Sequence, residues 1–369
     1  MNILILNQIL FTADNNVIPK VKSIKDTMIY NMCLGFTTLG HTVTLAAGKE
    51  YKPTEEETYD FEIKFFSSDY TKLCPPSVLP FSKDLFLFLK QYSNQYDLVI
   101  ASEAFSISTL FSAIVCPRKT VIWHELTEHQ NKFHRLPSKC WHNIILPVFF
   151  RKIRCVIPRS SQAREFISRY LKNTSAEVVD HGINIDSFKP ASLKKRQFIC
   201  ISQLIPRKNV GSIIIKFSEL VKIEKYKDVK LYIAGRGIQK EELVQLVSDL
   251  HMENNIRFLG FLDHKTLSRY ASQSLASLID THKDLNMVSI PECIVSGTPI
   301  VTNLKPASAS YIAEHRLGIA KKEWDKDDLI EIIENNPVYR DNCIHYREKL
   351  TNRHAAETII KIYKQFCEK

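Results

Sequence analysis

The feature that most constrains this chain is a rhythm that runs twice along it. Short apolar runs of strand length, without strict polar alternation, are separated by stretches of helical spacing. In the first half such runs fall at residues 3–6, 41–47, 61–66, 97–101, 120–123 and 155–157. In the second half they fall at 197–202, 229–234, 256–259, 275–279 and 299–302. A strand apolar on both faces must be covered on both, which favours a parallel sheet between two layers of helices. Helical spacing is predicted over 23–39, 87–92, 138–152, 210–223, 240–250, 267–272, 289–296 and about 350–366. The pattern predicts an α/β chain of two doubly wound, Rossmann-like domains facing each other across a cleft. In such sheets ligands gather beyond the carboxyl ends of the strands, so functional residues belong just after them.

A length of 369 residues fits two domains, and 44% hydrophobic with 24% charged residues sets disordered, collagenous and coiled-coil readings aside. The boundary is expected in the polar, basic stretch 188–196. That gives an N-terminal domain over 1–187, a C-terminal domain over 188–350, and a final helix, 351–369, crossing back to the first. The ten glycines form neither GxGxxG nor GxxxxGK[ST], which argues against a dinucleotide-binding enzyme and a P-loop NTPase. No apolar run approaches the roughly 18 residues of a membrane span; the nearest is 144–150. The start lacks a basic, cleavable leader, and the nine cysteines include no CxxC pair. Both features point to a cytoplasmic, reduced chain. A formal net charge of +10 favours an anionic partner. No nucleic-acid-binding module is present, which leaves anionic lipid or a phosphorylated substrate.

Metal and hydrolase signatures are weak. His124 and His129 are five apart, and on a helix they would diverge by about 140°. There is no GxSxG elbow, and Asp325, Asp327 and Asp328 read as a helix N-cap. No metal and no cofactor are expected. More informative is 202–209, where a strand gives way to a helix start carrying Arg207 and Lys208. Uncapped amides, the helix dipole and Lys208 together suit a phosphate. Asp284 and Glu292 stand eight apart, the first after a strand and the second on the next helix, where a carboxylate can hold sugar or ribose hydroxyls.

Taken in order, these segments resemble the retaining GT-B glycosyltransferases of the family 4 type. Those enzymes read Gly-Arg-Leu-x-Pro-Glu-Lys-Gly, Gly-x-Gly, Phe-x-Gly, and Glu-x7-Glu followed by Gly-x-Pro-Val-Val. This chain has Ser202-Gln-Leu-Ile-Pro-Arg-Lys-Asn209, Gly235-Arg-Gly237, Phe258-Leu-Gly260, Asp284-x7-Glu292 and Gly297-Thr-Pro-Ile-Val301. Residues 178–190 resemble the family's interdomain signature. The resemblance implies that Lys208 neutralises the donor diphosphate, with Gln203 in the place of the motif arginine and Arg207 beside it. It implies that Glu292 holds the donor ribose and Asp284 faces the transferred sugar. The amides of Asn286, Met287 and Val288 would wrap sugar and phosphate, the main chain at Leu262 would meet the base, and His124 would approach the donor sugar. The implied reaction is metal-independent transfer from a nucleoside-diphosphate sugar, UDP-linked by default, to a glycan or lipid-linked acceptor in surface polysaccharide or glycolipid synthesis. The segment 132–172, with Arg135, Lys139, Arg151, Lys152, Arg154 and Arg159 among apolar residues, is expected to rest on the anionic inner face of the membrane. Gln203 and the absence of glycine from 7–15 leave open a non-catalytic subunit of the same fold.

Overall fold

The computed structural model describes residues 1–11, 17–25, 27–130, 135–283 and 287–368. They form two compact units: Met1–Gly182 together with Asn352–Lys369, and Ile183–Thr351. Each is built on a six-stranded sheet, parallel throughout.

The first unit contains β1 (Asn2–Leu6), α1 (Met28–Thr38), β2 (Thr42–Gly48), β3 (Glu62–Phe66), α2 (Lys83–Tyr92), β4 (Leu98–Ser102), α3 (Ile107–Val115) and β5 (Thr120–His124). It continues with α4 (Leu136–Cys140), a π turn (Trp141–Ile145), α5 (Leu146–Phe149), β6 (Cys155–Pro158) and α6 (Ser161–Ile167). Strand order is β3-β2-β1-β4-β5-β6. The chain leaves β1 towards β2 on one side and returns to β4 on the other, so the switch point lies between β1 and β4. Ile3 and Ile5 enter one apolar cluster with Phe36 and Ile100, while Leu4 and Leu6 enter another with Leu85 and Phe111. That is why β1 reads apolar at every position: both faces are covered, and each buried aliphatic side chain contributes about 1.5–3 kcal/mol.

The second unit runs β7 (Gln197–Ile201), α7 (Val210–Val221), β8 (Lys230–Ala234), α8 (Lys240–Asp249), β9 (Ile256–Gly260), α9 (His264–Gln273), β10 (Ala276–Ile279), α10 (Ser289–Val295) and β11 (Ile300–Thr302). It ends with α11 (Ala309–Glu314), β12 (Gly318–Ala320), α12 (Lys326–Glu334) and α13 (Asn336–Tyr346). Strand order is β12-β11-β10-β7-β8-β9, which puts its switch point between β7 and β10. The last helix, α14 (Asn352–Cys367), belongs to the first unit and packs on α1. A Cβ on Gly35 would lie 2.2 Å from the Asn352 carbonyl oxygen, so only glycine lets the two helices approach there.

Several elements differ from the sequence reading. The first helix begins at Met28, because Thr27 caps it by accepting from the Tyr30 amide. The helix expected over 138–152 ends at Phe149, which leaves Arg151 and Lys152 in a turn. Short helices at α3, α6 and α11, the pair α12–α13 and the three-residue strand β12 carry too little periodicity to stand out. His124 ends a strand and His129 lies in the following loop, so the helical argument against their sharing a metal does not apply. No cluster of three or more ligating side chains occurs among the described residues. The Asp325 reading holds: it caps α12 in a capping box with Asp328.

Candidate active site

The loops that follow β7 and β10, the two strands flanking the switch point of the second unit, are tied together. The Arg207 carbonyl accepts from the His282 amide and from Thr281 Oγ1, both at 2.9 Å. The Arg207 guanidinium spans the same gap, with Nη1 donating to the Lys283 carbonyl at 3.2 Å and Nη2 to Gln203 Oε1 at 3.4 Å. Gln203, at the sequence position of the motif arginine, thus accepts from the neighbouring Arg207. Lys208 follows, half-buried, and Asn209 turns the chain through φ 50° into α7, which has no side-chain cap. Burial pushes the Lys208 ammonium down to about 8, and the Arg207 charge acts in the same direction. A half-buried cation beside an uncapped twelve-residue helix start suits an anionic group.

The loop after β8 lies against this one. Leu204 N donates to the Arg236 carbonyl at 2.9 Å. Cβ atoms at Gly235 and Gly237 would fall 1.8 Å from the Ser202 oxygen and 2.2 Å from the Leu204 oxygen, so the Gly-x-Gly pair is what closes these backbones together. Leu262 follows β9 and is partly exposed. Glu292 sits on α10 and is buried, as is Met287, while Val288 is exposed. Asp284 and Asn286 lie outside the described residues.

A network that the sequence reading missed fixes the loop after β10. Asp280 Oδ2 accepts from Lys216 Nζ at 2.7 Å and from Ser212 Oγ at 2.6 Å, and Oδ1 accepts from Asn303 Nδ2 at 2.9 Å. Lys216 also lies over the Trp324 ring, whose Nε1 donates to the Ile279 carbonyl at 2.9 Å. Only the position of Asp280 directly after a strand could have drawn attention to it.

In the first unit the carboxyl ends of β1, β4, β5 and β6 surround a cavity of about 360 Å³. Its lining includes Gln8, Phe11, Leu79, Glu103, Phe105 and Arg159. His124 ends β5 but has no exposed surface. Its Nδ1 stands 3.3 Å from Glu103 Oε2, and its ring stacks on Phe166. Glu103 sits at φ 72°, and its Oε1 accepts from the amides of Glu125 and Leu126. Burial alone would raise the Glu103 carboxyl, but the His124 ring, the Glu125 amide and Arg159 outweigh it and hold it below the usual carboxylate range. Arg159 is 4% exposed, salt-bridged to Glu125 and stacked 4.4 Å from the Trp123 ring. It therefore leaves the basic surface in which the sequence reading placed it. Arg154 is partly buried and donates to the Arg118 and Phe366 carbonyls.

A family model described as glycosyl transferases group 1 matches residues 183–350, and one described as Glycosyltransferase Family 4 matches 26–187. The chain is a family 4 glycosyltransferase. Its two parallel six-stranded α/β sheets are those of the GT-B fold, whose family 4 members are retaining and nucleotide-sugar dependent. Anabaena HepE, solved in complex with UDP, is similar to this glycosyltransferase over 99% of this chain and 100% of its own, with a TM-score of 0.67 at 14% identity. The N-acetylgalactosamine-N,N'-diacetylbacillosaminyl-diphospho-undecaprenol 4-alpha-N-acetylgalactosaminyltransferase of Campylobacter jejuni is 20% identical over 78% of this chain and 73% of its own. The 2-deoxystreptamine N-acetyl-D-glucosaminyltransferase of Niallia circulans is 21% identical over 47% of this chain. That alignment spans 46%, about half, of the Niallia protein.

Proposed function

We propose that this glycosyltransferase moves a sugar from a UDP-linked donor, without a metal, to a lipid-linked glycan at an anionic membrane surface. The observation that carries the reading is the half-buried Lys208 beside the uncapped start of α7, with Arg207 laid across the neighbouring loop. Those groups neutralise the charge that develops on the departing nucleoside diphosphate, the largest demand such a transfer makes on the protein. Glu292 takes the donor ribose and the main chain at Leu262 takes the base. Met287 and Val288, with Asp284 and Asn286, wrap the sugar and its phosphate. His124 serves the donor sugar; its ring is enclosed, so that role requires the loop after it to yield.

The relatives favour this donor and acceptor: HepE was solved with UDP, and the Campylobacter enzyme is named for a diphospho-undecaprenol acceptor. The acceptor surface is the segment from α4 to the turn after α5. There Leu136, Ile144, Val148 and Phe149 are exposed beside exposed Lys139, Arg151 and Lys152. The proposed attachment is peripheral, on the inner face; no helix among the described residues is long and apolar enough to cross a membrane.

A thermal-shift comparison of UDP, GDP and ADP without metal tests the donor assignment. At 100 times its dissociation constant UDP stabilises the native state by about 2.7 kcal/mol. Lys208→Ala and Glu292→Ala each remove that shift. If no nucleotide stabilises the wild-type chain, the donor site is degenerate and the non-catalytic reading replaces this one. Transfer of labelled sugar to a diphospho-undecaprenol-linked saccharide tests the acceptor.

A further inference from the structure

The residues that follow β5, Glu125 to His129, form a short strap that is held at both ends. At its start the Glu103 carboxylate accepts from the Glu125 and Leu126 amides, and Glu125 is salt-bridged to Arg159. At its far end the His129 ring lies edge-on to Phe166, with Nδ1 3.2 Å from Ser138 Oγ and Nε2 3.1 Å from Tyr170 Oη. His124, the last residue of β5, stacks on the same Phe166. The histidines on either side of the strap thus meet one aromatic ring, which brings the strap back over the end of the strand.

What the strap hides is not a satisfied core. The first-unit cavity is lined by Glu103, Glu125 and Gln130 but not by His124, so the strap stands between the cavity and that ring. His124 has no exposed surface, yet neither of its ring nitrogens has a hydrogen-bond partner. Its Nδ1 lies 3.3 Å from Glu103 Oε2 without bonding to it, and Oε2 is likewise unpaired, as is the buried Nε of Arg159. Buried polar atoms are almost always paired, because an unpaired one has lost its water for nothing. Lifting the strap rehydrates these atoms, so its closed position depends on the clasps at its ends. Of these, the ion pair is within reach of a ligand: Glu125 and Arg159 both line the cavity, and the Glu125 side chain is 44% exposed.

We propose that residues 125–129 are a gate over His124 and that the Glu125–Arg159 ion pair is its latch. The assignment rests on the role proposed for His124 at the donor sugar and adds to it that the enclosed ring is a resting state. Glu125 and Arg159 are then positioning residues, which act on His124 through the strap. A ligand in the cavity that competes for either charge releases the latch.

Carbethoxylation by diethyl pyrocarbonate, mapped on the full chain by mass spectrometry, tests the gate, with the exposed His251 as internal reference. In the wild type His124 reacts at least tenfold more slowly than His251. Glu125→Gln keeps the shape of the side chain but removes its charge; it speeds His124 at least fivefold and leaves His251 unchanged. Added salt screens a part-exposed ion pair, so it speeds His124 in the wild type but has no further effect in Glu125→Gln. A variant with a merely loosened core would leave the wild-type salt response unexplained. If Glu125→Gln does not fold, that salt response carries the test. His124 as reactive as His251 in the wild type, unchanged protection in folded Glu125→Gln, or a wild type indifferent to salt overturns the proposal. The UDP thermal shift is read separately: its absence in the wild type counts against the donor assignment, whereas the gate is judged on the reactivity of His124 alone.

Discussion

Oε2 of Glu103 stands 3.3 Å from Nδ1 of His124, at the carboxyl ends of the neighbouring strands β4 and β5. A non-glycine residue at φ 72° is strained, and here the strain is held by what the carboxylate does. It caps the two amides that begin the loop after β5 and faces the buried ring. Glu103→Gln keeps the shape but removes the charge. Loss of hydrogen bonds to a charged group predicts about 1.5–3 kcal/mol less stability at pH 7, read by urea denaturation. Because the folded-state carboxyl lies below its unfolded value, its contribution is present above the unfolded value and fades as pH falls through the folded one. The stability of Glu103→Gln should therefore converge on that of wild type in acid.

In the proposed donor site, Lys208 links nucleotide binding to pH. Its ammonium, lowered to about 8 by burial and by Arg207, is mostly charged at pH 7 and mostly neutral at pH 9. A diphosphate raises that value by favouring the charged form, so binding takes up a proton above pH 8. Calorimetric titration with UDP should show affinity falling by up to about tenfold between pH 7 and pH 9, with heats that depend on the buffer's ionisation enthalpy. Lys208→Arg, whose guanidinium stays charged, should flatten that profile.

Asp280 anchors the loop after β10 through Lys216, Ser212 and Asn303. Asp280→Ala leaves Lys216, which lies over the Trp324 ring, without its carboxylate partner. Breaking a buried pair from one side costs about 3–5 kcal/mol, and partial exposure of Lys216 puts this case at the lower end. Chemical denaturation checks the size of the loss. Lys216→Met together with Asp280→Ala should recover part of it, because no buried charge is left unpaired.

Much of this was legible in the chain. The apolar runs located eleven of the twelve strands, because buried parallel strands show no alternation to confuse with loops. β12 escaped because three residues containing glycine carry no pattern. The place of Arg207 and Lys208 directly after β7 was readable in the sequence, whereas Asp280 did not stand out, since one acid after a strand has no spacing to distinguish it. The cavity residues of the first unit were unreadable for a stronger reason. Gln8, Glu103 and Arg159 follow three different strands and meet only because β1, β4, β5 and β6 end side by side. Composition likewise counted Arg159 with the surface bases, while the fold turns it inward onto Trp123.

The helical segment from Leu136 to Phe149 should govern membrane attachment without touching donor binding. Ile144→Glu with Val148→Glu places two carboxylates on its exposed apolar side and should abolish sedimentation with anionic vesicles, while the UDP thermal shift persists. Lys139→Glu, Arg151→Glu and Lys152→Glu should each weaken vesicle binding by about 1 kcal/mol at low salt, and less as salt is raised. Vesicle binding by the apolar-side double variant equal to wild type would remove this segment as the docking surface.

On the buried side of the same segment His142 meets His129. His142 has no exposed surface, its Nδ1 donates to the Ser138 carbonyl at 2.7 Å, and its ring packs on His129, Phe166 and Tyr170. Burial, with the ring of His129 adding to it, lowers His142 to about 4, so the folded state keeps it neutral where the unfolded chain is already protonated. Stability tied to this ring is therefore whole above about pH 6.5 and drains as pH falls towards 4, to a total of about 3 kcal/mol. His142→Phe keeps an aromatic ring in the cluster and removes the titration. Its denaturation midpoint should sit below that of wild type at pH 7.5, where the Ser138 bond is lost, and approach or exceed it at pH 4.5. Parallel pH profiles for the two proteins would show that acid sensitivity arises elsewhere.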